Sequence, residues 1–155
     1  VARPAATPAN AAALACLGSL ESRARGLAAL LRADENAVQV AQAYLRHRPL
    51  ADASEVRSVV AGIARMKAAA AQARALEALA RHHVTDAETL AELAKLFARS
   101  THLRVQRAIA EVFIRSDPKA IHRGNLVGIL REHRLRPPGG GQDLIDVLIA
   151  RLQAG

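Results

Sequence analysis

Apolar residues recur along this chain at steps of three and four, and no segment sustains an alternation of apolar and polar residues. Steps of three and four keep side chains on one side of an α-helix, whereas a strand with one buried face needs a step of two. The available core residues point the same way. The 155 residues include 36 Ala, no Trp, one Tyr (Tyr44) and two Phe (Phe97 and Phe113). An interior must then be built from Leu, Ile, Val and Ala. Alanine is the best helix former and lets helices approach closely, while sandwiches and barrels draw on β-branched and aromatic residues. The expectation is an all-α chain long enough for one domain with a real core.

The pattern divides into eight helices joined by short turns, and short connections force neighbours antiparallel. Residues 1–10 are rich in Pro and Ala without periodicity and read as a linker, leaving 11–155 as the helical domain. A first helix over 11–32 carries Leu14, Leu17, Leu20, Leu27, Leu30 and Leu31, with Gly18 and Gly26 as weak points. Asp34 caps the next, 36–48, whose stripe is Val38, Ala41, Tyr44 and Leu45 and which Pro49 stops. Asp52 and Glu55 open 52–66, with Val56, Val59, Val60 and Ile63 inward. A helix over 69–83 turns Ala75, Leu76 and Leu79 inward. Thr85 and Glu88 form a capping box for 86–99, with Leu90, Leu93, Ala94 and Phe97 inward. Val105, Ile109, Val112 and Phe113 face inward from 102–116. Asp117-Pro118 is a cap and first-turn proline for 118–134, with Ile121, Leu126, Ile129 and Leu130 inward. The loop RPPGGG (136–141) breaks that helix. The last, 142–153, carries Leu144, Ile145, Leu148, Ile149 and Leu152.

A shift of 34 residues superposes two of these blocks. Asp52 falls on Asp86, and Val56, Val59, Ile63, Ala64 and Arg65 fall on Leu90, Leu93, Phe97, Ala98 and Arg99. Ala71, Gln72, Ala75, Glu77, Leu79 and Arg81 fall on Val105, Gln106, Ile109, Glu111, Phe113 and Arg115. The segments LAALLRADENAVQVAQAYL (27–45) and LAKLFARSTHLRVQRAIAEVF (93–113) each run from an apolar helix end through a polar turn into Val, a polar residue and Ala at helical intervals. This resembles the HEAT repeat, over about residues 20–153; armadillo-like repeats share the same loose motif. The resemblance implies a right-handed α-solenoid of about four antiparallel helix pairs. It also implies an extended surface lined by the second helix of each pair, recognising a protein or, less often, nucleic acid, without catalysis. One helix pair cannot bury its apolar face alone, but a stack can.

The formal net charge of +8 permits contact with nucleic acid or acidic membranes. No stretch approaches the roughly 18 uninterrupted apolar residues of a membrane span. Cys16 is the only cysteine, so no intrachain disulfide forms and the compartment, cytoplasmic or periplasmic, stays open. Residues 13–16 are similar to a bacterial lipoprotein box but lack its Leu three residues before the Cys, its basic start and its long apolar stretch. A chain that begins at Val1 is expected to be a piece of a longer parent.

Candidate chemistry is thin. His82 and His83 are adjacent, so on a helix they point about 100° apart, and His47, His102, His122 and His133 lie elsewhere. No metal-ligand spacing occurs, and helix-terminal histidines are explained by the helix dipole. The loop PPGGG (137–141) is followed by Gln142-Asp143 rather than by the Lys-Ser/Thr of a phosphate cradle. No base accompanies Cys16. No catalytic residue, metal or cofactor is expected. What remains is a ladder of charge on the second helices. Arg104, Arg107, Glu111 and Arg115 share one stripe, Arg74, Glu77 and Arg81 a second, and Gln39, Gln42 and Arg46 a third. The expected function is a protein–protein interaction scaffold with its partner on that face. Glutamates among the arginines favour a mixed-charge protein surface. The alternative is binding of nucleic-acid phosphates, favoured by the charge and weakened by those glutamates and by the scarcity of aromatics for base stacking.

Overall fold

A computed structural model of the protein describes residues 7–17, 39, 43–44, 53–136 and 143–154. Among them every regular element is helical, with no strand: seven α-helices and one 3-10 turn. The first, α1 (Pro8–Leu17), starts inside the segment read as a linker. Thr7 is the reason: its hydroxyl accepts from Asn10 N at 3.1 Å, and Pro8 then takes the first helical position, where its missing N–H costs nothing. Ala11 and Ala15 are buried and Leu14 half-buried. The remainder of the helix expected over 11–32, and most of that over 36–48, lies outside the described residues; residues 39, 43 and 44 are helical and Tyr44 is buried.

The next four helices are α2 (Ala53–Ala64), α3 (Ala69–Ala80), α4 (Ala87–Arg99) and α5 (Leu103–Arg115). The stripes Val56-Val59-Val60-Ile63, Ala75-Leu76-Leu79, Leu90-Leu93-Ala94-Phe97 and Val105-Ile109-Val112-Phe113 are all buried. The cap of α4 is Asp86, not Thr85: its carboxylate accepts from Thr89 N at 3.1 Å and Thr89 Oγ1 at 2.6 Å, which buries the threonine satisfied. Residues 81–83 do not continue α3. Arg81 caps it, His82 N bonds to Leu79 O, and His83 turns left-handed with φ 55°. The His83 ring sits against the Arg115 carbonyl, a tertiary contact that no local pattern announces.

The helix expected over 118–134 is two elements. Asp117 caps a single 3-10 turn, Pro118–Ala120, by accepting from Lys119 N, while its own N–H bonds to Val84 O at 3.0 Å. Ile121 is extended, and α6 runs Arg123–His133. The last helix is α7 (Leu144–Ala154), in which Ile145, Leu148 and Ile149 are buried and Leu144 is 37% exposed.

Helices two places apart pack together: α3 on α5 on α7, and α2 on α4 on α6. The successive pairs α2–α3, α4–α5 and α6–α7 also touch. The α3–α5 contact is the most extensive, and the small buried side chains Ala71, Ala75 and Ala108 allow that approach. Two buried glutamines recur in this packing 34 residues apart. Gln72 Nε2 donates to Ile63 O at 3.0 Å, and Gln106 Nε2 to Phe97 O at 3.2 Å. Each ties the first turn of its helix to the end of the preceding one.

Candidate functional site

The ladder residues stand on α3 and α5, with buried alanine, leucine and isoleucine on their opposite sides. Arg74 on α3 and Arg81, the residue that caps its C-terminus, are exposed, and neither has an anionic partner among the described residues. Glu77 lies between them. It reaches across to α5, where Arg104 Nη2 approaches its carboxylate at 3.7 Å. Glu111 and Arg115 pair along α5 at 3.3 Å, one turn apart. The Glu77–Arg104 contact joins the stripe of α3 to that of α5, while the Glu111–Arg115 pair lies within α5. Gln39 is exposed, while Arg46 lies outside the described residues.

Arg107 behaves differently from its neighbours. Its Nε donates to Asp143 Oδ2 at 2.6 Å, and Asp143 is only 11% exposed. The same carboxylate accepts from Ile145 N at 2.9 Å, so Asp143 caps α7 and anchors it to α5 at once. Sequence reasoning placed Arg107 in the ladder and gave Asp143 no partner. The two are 36 residues apart, and only the docking of α7 on α5 joins them. Arg134 and Asp146, 8% and 14% exposed, form a second such pair at 2.8 Å between the end of α6 and the start of α7. Arg151 Nη1 donates to Ile114 O at 3.4 Å and closes the α5–α7 contact at its far end.

Away from this surface, Tyr44 Oη donates to the fully buried Glu55 at 2.7 Å. Burial pushes the His82 imidazole below its ordinary value of 6.5, against the opposing pull of Glu55. Desolvation thus outweighs the attraction of the Glu55 carboxylate. Cys16 is exposed. No group of three His, Cys, Asp or Glu is placed to hold a metal among the described residues. No helix among them is long and apolar enough to cross a membrane. Residues 137–141 of the proline–glycine loop lie outside the described residues. A shallow apolar groove runs between α4 and α6, lined by Ala87, Leu90, Ala94, Ile121, Leu126 and Ile129. No family model, curated protein or solved structure matches the chain.

Proposed function

We propose that the chain is a non-catalytic, HEAT-like α-solenoid scaffold that holds another protein against the surface of α3, α5 and α7. The packing of every second helix upon the last, with the same buried glutamine in successive blocks, supports the solenoid reading. The observation that carries the functional reading is the Glu77–Arg104 contact. It merges the stripes of two helices into one mixed-charge surface and leaves Arg74 and Arg81 exposed beside it. Arginine suits such a place, because its planar fork pairs bidentately with carboxylates.

The test is the double variant Arg81→Ala/Arg115→Ala in quantitative affinity capture, repeated with the purified partner. Capture should weaken while the melting temperature stays nearly constant, since exposed changes of this kind cost within about 0.5 kcal/mol. Undiminished capture would make the ladder a solvated face held together by its own ion pairs.

A further inference from the structure

We propose that one edge of the molecule, formed by the turns 65–68, 100–102 and 134–136, is a second binding surface and takes the phosphodiester backbone of duplex nucleic acid. Hydrogen bonds define the edge. Gln72, in the first turn of α3, reaches Ile63 O at the end of α2. Gln106, in the first turn of α5, reaches Phe97 O at the end of α4 and His133 O and Leu135 N at the end of α6. The ends of α2, α4 and α6 and the starts of α3 and α5 therefore lie together. The opposite edge is drawn together by Asp117 N on Val84 O and by Arg151 on Ile114 O.

The charges are not shared evenly between the two edges. Arg65, Arg99, Arg131 and Arg136 are exposed at the first edge, and none has an anionic partner among the described residues. Lys67 is exposed there too, and Arg104 is held only loosely, at 3.7 Å from Glu77. Of the described acids there, Asp143 and Asp146 are engaged by Arg107 and Arg134. Glu132 is the exposed one, 3.9 Å from its neighbour His133. At the opposite edge Asp86, Glu88 and Asp117 stand among the cations, and Arg57 is already paired with the first two. Attraction of cations to helix C-termini accounts for Arg99 and Arg131 in their last turns, but not for Arg136, which lies beyond the end of α6.

Spacing and composition select the ligand. Helices packed in a row stand about 8–10 Å apart. Charges on one strand of a duplex advance about 3.4 Å per phosphate. A step from one helix of the row to the next thus spans the axial rise of about three base pairs. Glu132 is the one exposed acid described among these arginines and Leu135 is exposed beside Arg136, but the cations outnumber the acid, so a uniform polyanion fits better than a mixed-charge protein surface. Tyr44, Phe97 and Phe113 are all buried, which removes the stacking platforms that unpaired bases need. The ligand is a duplex gripped through its backbone, without sequence preference.

The experiment is fluorescence anisotropy with a labelled mixed-sequence DNA duplex and the full chain, from low to physiological salt. Binding should weaken linearly on a log–log scale with a slope of about −3 to −4, as for about four phosphates. Arg65→Ala/Arg99→Ala/Arg136→Ala should bind at least about tenfold more weakly with a shallower slope and an unchanged helical circular dichroism spectrum. The Arg81→Ala/Arg115→Ala variant should bind DNA as the parent does, which separates this surface from the one proposed for a protein partner. Three outcomes overturn the proposal. They are no binding at low salt, equal losses from the two variants, and tighter binding of polyglutamate than of the duplex.

Discussion

Gln106 is fully buried and makes three hydrogen bonds, to Phe97 O, His133 O and Leu135 N, so one amide joins α4, α5 and the end of α6. Removing it takes one hydrogen bond from each of three backbone groups, each bond contributing about 0.5–1.5 kcal/mol. Gln72, in the equivalent position, makes one such bond. Gln106→Ala should therefore lower stability by roughly twice as much as Gln72→Ala, read from urea midpoints at constant slope. His82 gives a residue-scale prediction of the opposite kind, about conditions. Its folded pKa lies below 6.5, so the unfolded chain takes up the proton first. Its contribution is present above pH 6.5 and drains away as pH falls from there through the lowered folded value. His82→Gln should flatten the decline of the melting temperature over that window. A parallel decline in both proteins would remove His82 as the cause.

At the scale of the element, two chain turns are held by contacts from outside their helices. The left-handed His83 ends α3 against the Arg115 carbonyl, and the N–H of Asp117 on Val84 O holds the chain before the 3-10 turn. In α6, only Leu126 and Leu130 are buried, and the helix contains Gly124 and Gly128. A methyl group built on Gly128 meets no atom within 4 Å. Gly128→Ala should therefore raise stability by about 0.5–1 kcal/mol, because it reduces the freedom of the unfolded chain and clashes with nothing. A loss of stability in thermal denaturation would mean that α6 needs the glycine for a close approach.

For the whole molecule, cohesion rests on side chains shared between helices that are not successive. Phe113 on α5 is 3% exposed and also lines the groove between α4 and α6, so it bridges both rows of helices. Phe113→Ala should cost about 3–5 kcal/mol, since a cavity at that junction has walls on several elements and collapses poorly. A loss below about 1 kcal/mol would show that the rows are held together elsewhere. The paired charges Arg107–Asp143 and Arg134–Asp146 belong to the same scale, because both fasten α7 to the rest.

The helical class and the inward stripes were legible from residue spacing alone. Val56 to Ile63, Leu90 to Phe97 and Val105 to Phe113 face inward because the period of an α-helix is a property of the local backbone. The 34-residue offset that set Gln72 upon Gln106 was legible for the same reason, although the hydrogen bonds that keep both glutamines buried were not. Local rules failed where the deciding partner was remote. The left-handed turn at His83 comes with its ring against the Arg115 carbonyl, and the 3-10 turn before Ile121 with the N–H of Asp117 on Val84 O. The same holds for the charges. Spacing puts an arginine on a stripe, but whether it is neutralised depends on which carboxylate packing brings within about 4 Å. Tertiary structure withdrew Arg107 to Asp143, left Arg74 and Arg81 without a described counter-ion, and gathered Arg65, Arg99 and Arg136 at one edge.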